Sequence, residues 1–196
     1  MNSGIKIKRA LISVSGKKGL AAFARALASQ GVELLATGGT YNYLKDRNIP
    51  VKKAASEPLG EILSGRVKTL SRKIFAGILA DNSNASHMAQ IKKLKIKPIE
   101  LVCVTPYKLD KLPENIDIGG IALLRAAAKN CGSVTAVCNP KDYQLVISQI
   151  RKKGFIPRGI SEKLALKVFK LTSEYDKRIL RLAGAPEAAA GDTPLK

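Results

Sequence analysis

The chain has 196 residues, 45% hydrophobic and 25% charged, with 34 Lys and Arg against 15 Asp and Glu and a net charge of +19. That length suits one substantial domain. No apolar run reaches the roughly 20 residues that span a bilayer, and Met1 to Arg9 lacks the long apolar core of a signal peptide, so the cytoplasm is the expected compartment. The charge favours anionic partners, but it is spread along the chain and Trp is absent, which points to a small anionic substrate before nucleic acid.

Lys8 to Val14 reads as a buried strand, followed by the turn Ser15 to Gly19 and a helix with Leu20, Phe23, Ala24 and Leu27 on one face. Val32 to Ala36 is a second strand. It ends in Thr37-Gly38-Gly39-Thr40, and a short helix follows over Tyr41 to Arg47. This alternation predicts an α/β fold with a mostly parallel sheet, and both glycine turns fall at the carboxyl ends of strands, where such sheets bind phosphates. Ser56 to Lys73 is polar and irregular and contains Arg66-Val67-Lys68-Thr69-Leu70. Ile74 to Ala80 reads as a strand and Ser86 to Leu94 as a helix carrying His87, which fits a surface or packing residue better than a catalyst. Pro98 to Thr105 and Val134 to Cys138 are strands, and Pro140 to Ile150 is a helix. Cys103 reads as core. With Cys131 and Cys138 it makes an odd set without CxxC spacing, so neither zinc nor a disulfide framework is expected.

Ile160, Leu164, Val168, Leu171, Tyr175, Ile179 and Leu182 step by 4, 4, 3, 4, 4 and 3, the clearest amphipathic helix, with Ser161 the expected N-cap. Lys163, Lys167, Lys170, Lys177 and Arg181 form its solvated face. One domain over 1–183 is expected, with a frayed Ala/Gly/Pro-rich tail over 184–196.

The segment from Glu114 to Asn130 carries the most chemistry. Asp117-Ile118-Gly119-Gly120 precedes an apolar helical run that ends at Lys129. Paired glycines there leave N–H groups open at a helix N-terminus, and a carboxylate and an amine sharing a cleft divide acid and base work. The same residues also read as a loop and a buried helix with Lys129 a solvated cap. Ser13-Val14-Ser15-Gly16-Lys17, Thr37 to Thr40 and Arg66 to Thr69 add three more phosphate-type features, each unspecific alone. Neither a Walker A nor a GxGxxG pattern is present, so ATP and dinucleotide chemistry have no support.

Together and in order, these motifs resemble the IMP cyclohydrolase domain, the N-terminal half of bifunctional AICAR transformylase/IMP cyclohydrolase. The resemblance runs from about Arg9 to about Leu182 and rests on Ile116 to Gly120, Leu124 to Asn130 and Arg66 to Leu70, with the closing Tyr175-Asp176. It implies a methylglyoxal-synthase-like three-layer α/β fold and, with no residues after Lys196, a stand-alone cyclohydrolase. The implied reaction closes FAICAR to IMP with loss of water, without a cofactor or metal. A separate AICAR formyl-transferring enzyme would be a partner, a homodimer is compatible, and no membrane is involved.

By the same resemblance Lys68, Tyr107, Asp117 and Lys129 are catalytic, with Asp117 and Lys129 moving protons at the attacking amide. Lys68, Tyr107 and the N–H groups around Ile118 and Gly119 would stabilise the formyl oxygen. Ser13, Ser15, Lys17, Thr37, Gly38, Gly39, Thr40, Arg66, Thr69 and Thr105 would bind the ribotide. The chain departs from the family pattern at Gly16, Lys18, Ser71-Arg72, Phe75 and Thr105, where the family has Asp, Thr, His-Pro, His and Asn, and in a shorter Tyr107 to Glu114 connection. The departures leave room for a related ribotide reaction. A nucleotide sensor without turnover, methylglyoxal synthase and a charge-driven nucleic-acid binder are the competing readings.

Overall fold

Strand and helix alternate as the periodicity predicts. The computed structural model describes residues 4–54, 70–110 and 112–184. In chain order the elements are β1 (Gly4–Ile5), β2 (Arg9–Val14), α1 (Leu20–Ser29), β3 (Glu33–Ala36), α2 (Gly38–Lys45) and β4 (Lys52–Lys53). Then come α3 (Arg72–Leu79), α4 (Ala85–Lys93), β5 (Leu101–Thr105), α5 (Ile118–Lys129) and β6 (Thr135–Val137). A 3-10 turn (Pro140–Asp142) leads into α6 (Tyr143–Lys153), β7 (Ile156–Pro157) and α7 (Arg158–Leu182).

Five strands form a parallel sheet in the order β4-β3-β2-β5-β6, and β1 pairs antiparallel with β7 in a separate ribbon. Alternate residues of β2 serve opposite faces. Ala10, Ile12 and Val14 join Leu20, Phe23, Leu27, Val146 and Ile150 of α1 and α6, while Leu11 joins Ile78, Leu123, Leu124 and Val168 of α3, α5 and α7. The result is the expected methylglyoxal-synthase-like three-layer α/β arrangement. After β2 the chain turns to β3 on one side, and it later returns to β5 on the other. That reversal opens a crevice at the carboxyl ends of β2, β3 and β5.

Several expectations change. Ile74 to Ala80, read as a strand, is the helix α3. Ser71 is its N-cap, Ile74, Gly77 and Ile78 bury one helical face, and the carbonyl of Lys97 packs where a Gly77 Cβ would lie 3.0 Å away. A short apolar run does not by itself separate strand from buried helix. α7 begins before Ser161, so Ser161 is not a cap; it is buried within the helix and its hydroxyl donates to the Val134 carbonyl at 3.1 Å. The helix buries Leu164, Ala165, Val168 and Thr172, but its predicted stripe leaves the core beyond them, and Leu182 is exposed. Lys167 is also not merely solvated, because its amine lies 2.5 Å from the buried carboxylate of Asp142. The expected helix over Pro140 to Ile150 starts as the 3-10 turn, and α2 starts at Gly38, three residues early. The expected tail, apart from Gly184, lies outside the described residues.

At the amino edge of the sheet Glu33 ties three strands together. Its carboxylate meets Lys52 of β4 at 2.7 Å and accepts from Arg9 Nε of β2 at 2.7 Å. Those bonds, from Lys52 first and then Arg9, hold the Glu33 carboxyl down at about 2. A folded pKa below the unfolded value stabilises above the unfolded value, about 4.3, and the stabilisation fades as pH falls through the folded one. Glu33→Gln is therefore expected to lose about 1 kcal/mol near neutral pH, a figure discounted for solvent screening at the sheet edge. Urea unfolding across pH should show the two proteins converging toward about pH 2.

Candidate functional site

The crevice is lined from β2 and its following turn by Ser13, Val14, Ser15 and Lys17, and from the start of α2 by Thr37 to Thr40. Thr105 and Tyr107 follow β5, and Asp117 closes the far side. Parallel pairing brings these segments level, with Val14 opposite Thr105 and Ile12 opposite Ala36. The Ser13 and Thr37 hydroxyls are 2.8 Å apart. Ser15 N–H donates to the Thr105 hydroxyl at 3.0 Å, and the Ser15 hydroxyl donates to the Pro106 carbonyl at 2.9 Å. Lys17 donates to the Val14 carbonyl and, at 3.1 Å, to the Thr40 hydroxyl. Burial lowers the Lys17 pKa.

Thr37 occupies the N-cap of α2 without a side-chain cap bond. Gly38 follows with φ +40°, a left-handed conformation that favours glycine. The amides of Gly38 and Gly39 precede the first bond of the helical ladder and stand where an anion is favoured.

On the opposite wall Asp117 is the N-cap of α5. One carboxylate oxygen accepts from Gly120 N–H at 2.7 Å and the other from Tyr107 N–H at 3.3 Å. Burial pushes the Asp117 carboxyl up, and the two N–H bonds only partly oppose that. A Cβ on Gly120 would lie 2.5 and 2.8 Å from the two carboxylate oxygens, so this glycine makes room for Asp117. From α7, the Tyr175 hydroxyl accepts from Asp117 N–H at 2.8 Å and donates to the Asn115 carbonyl at 3.4 Å. Tyr175 was not legible as a site residue, because its position fits the apolar stripe of α7 and only the adjoining turn reveals the hydroxyl's partner.

Ser13, Ser15, Lys17, Thr37, Gly38, Gly39, Thr40, Thr105, Tyr107 and Asp117 thus come together. Ile118 and Gly119 stand at the first turn of α5 beside them, with Ile118 exposed. Thr105 braces Ser15 with its hydroxyl, and Tyr107 is half exposed at the rim. Lys129 is not brought in. It ends α5, twelve residues from Asp117, so the helix separates the two backbones by about 18 Å, and its side chain is exposed. The expected Asp117–Lys129 pairing is not made within one chain. Arg66, Lys68 and Thr69 lie outside the described residues. Ser71 and Phe75 serve packing: Ser71 caps α3, and Phe75 packs against the core cluster of Leu123 and Leu124. His87 sits away from the crevice, exposed, its Nδ1 accepting from Asp81 N–H at 3.2 Å. Among the described residues no helix is long and apolar enough to cross a membrane.

A doubly covered parallel sheet with an anion-type crevice at its switch point defines the class, and the chain belongs to the MGS-like domain family, whose model matches residues 19–131. A second model, described as the AICARFT/IMPCHase bienzyme, matches residues 127–193. The chain is similar to the bifunctional purine biosynthesis protein PurH of Clostridium acetobutylicum, with 48% identity over 187 residues, 89% of this chain and 37% of that protein. PurH of Lactobacillus acidophilus is 45% identical over 184 residues, covering 87% and 36%. The chain therefore spans little more than a third of the length of these curated relatives and corresponds to their IMP cyclohydrolase-like part. Among solved structures, the crystal structure of ForH matches with a TM-score of 0.83 and 32% identity, over 92% of this chain and 99% of that one.

Proposed function

We propose that this protein acts in purine biosynthesis as an IMP cyclohydrolase, closing FAICAR to IMP and water. The observation that carries the reading is Asp117: a half-buried carboxyl with a raised pKa, held at a helix N-terminus across a crevice from a wall of hydroxyls, glycine amides and Lys17. A ribotide fits that division. Its phosphate suits the amides of Gly38 and Gly39 with Lys17 and Thr40, and Ser13, Ser15 and Thr37 offer hydroxyls to the sugar and base.

In the reaction the carboxamide nitrogen attacks the formyl carbon of the same molecule. The attack is intramolecular and needs no cofactor; the protein folds the two groups together and moves protons. Asp117 takes the proton of the attacking amide. The first amides of α5, at Ile118 and Gly119, and the Tyr107 hydroxyl stabilise negative charge on the formyl oxygen. That oxygen takes up two protons, the one removed from the carboxamide nitrogen and the one lost from the formamide nitrogen as the ring C=N bond forms, and leaves as water. By family resemblance Lys68 would stabilise the same oxygen, and Arg66 and Thr69 would bind the phosphate, ribose or base. No step is routed through Lys129. A formyl-transferring activity would supply the substrate.

The test is a steady-state assay of purified protein with FAICAR, following IMP by ultraviolet absorbance and mass spectrometry. IMP formation that saturates with substrate is the expected result. Tight ribotide binding without any IMP would overturn it in favour of a sensor or an altered substrate.

A further inference from the structure

α7 is longer than the core requires. Thr172 is its last buried residue, and nearly every position after it is exposed. Tyr175 is half-buried one turn beyond that point, and its hydroxyl reaches the turn that carries Asp117. The contact is two-sided: the oxygen accepts the Asp117 amide proton at 2.8 Å, and the hydroxyl proton goes to the Asn115 carbonyl at 3.4 Å. The Asp117 amide lies before the first turn of α5, so no carbonyl of that helix receives it. A backbone turn of the N-cap residue would swing its carboxylate out of the crevice, and the bond to Tyr175 opposes that turn.

We infer that Tyr175 is a positioning residue: α7 reaches past the core to hold the Asp117 backbone, and through it the direction of the Asp117 carboxylate. This rests on the reading of Asp117 as the proton-moving group. Tyr175 touches no cleft-lining side chain in these bonds and acts only through the 115–117 turn. A second strut joins the same two helices, where Arg125 of α5 donates to the Thr172 hydroxyl at 3.4 Å. Loss of the tyrosine hydroxyl should therefore loosen the turn while leaving the helix pair docked.

Tyr175→Phe removes one oxygen and keeps the ring. With FAICAR as substrate, kcat is expected to fall about tenfold to a hundredfold, as a misplaced catalytic group would cause, with KM changed by less than about threefold. The effect should vanish in the Asp117→Asn background, because a residue acting only through Asp117 adds nothing once that carboxylate is gone. Hydrogen exchange of the Asp117 amide, read by NMR without substrate, should speed up by about tenfold or more while the thermal midpoint barely moves. Unchanged exchange, or a kcat within about twofold of wild type, would overturn the assignment. If the wild-type protein forms no IMP, the cyclohydrolase reading fails and the exchange result alone decides whether Tyr175 holds the turn.

Discussion

Gly120→Ala is expected to lower IMP formation by about a hundredfold, the penalty for moving a catalytic group by about an ångström. The usual effect of this substitution inside a helix is favourable, by about 1 kcal/mol. Here the new methyl would sit 2.5 Å from one Asp117 oxygen and 2.8 Å from the other, so the carboxylate must leave its place and give up the Gly120 N–H bond. An exposed glycine at the start of α7 supplies the control. Gly159→Ala meets nothing within 4 Å and should raise the thermal midpoint through the ordinary propensity gain. Circular dichroism should show α5 intact in both variants, with kcat separating them. Wild-type turnover by Gly120→Ala would mean that the observed carboxylate position is not the one the reaction uses.

Asp117→Asn should separate stability from activity. Burial raises the Asp117 pKa above its unfolded value. A group shifted in that direction contributes stability below its unfolded pKa and loses it as pH rises through the folded one. At neutral pH the ionised carboxylate is thus a net burden on the fold, although the helix N-terminus and two N–H bonds reduce it. Asparagine carries no charge, keeps an oxygen for Gly120 N–H and ranks with aspartate as an N-cap. The variant should melt at the same temperature or higher near pH 7, with its advantage fading below about pH 3.9, where aspartate is protonated in either state. Turnover should drop by about two to four orders of magnitude with the loss of the proton acceptor. In the wild type, turnover should fall on acidification at a pH above the ordinary aspartate value. A variant that stays active would remove Asp117 from the proton transfer.

Much of the site was legible because its chemistry follows local rules. Ser13, Ser15 and Lys17 surround one strand end and Thr37 to Thr40 another. In a parallel sheet, strand ends on one edge meet, so residues distant in sequence group together from the pattern of strands alone. The helix over Arg72–Leu79 was not legible, because Ile74, Phe75, Ile78 and Leu79 satisfy a buried strand as well as a helical face. The Asp117–Lys129 pairing is not made within one chain for a different reason: the two residues bound one compact sequence unit, but a straight helix turns twelve residues into a long separation. Gly120 was read as freeing backbone amides, whereas the structure shows it clearing space for a side chain. Thr105 lines the crevice, and its hydroxyl also accepts from Ser15 N–H. Such roles depend on which neighbour arrives across the fold.

The bonds that shape the crevice have large sequence separations: 24 residues between Ser13 and Thr37, 90 between Ser15 and Thr105, and 58 between Asp117 and Tyr175. Each closes a long loop whose entropy is recovered only when the rest of the fold is in place. No fragment ending before α7 contains the whole set. Ligand capture is therefore a property of the complete domain, and a bound ribotide would act as a clamp on the native state alone, drawing partly folded chains toward it by mass action.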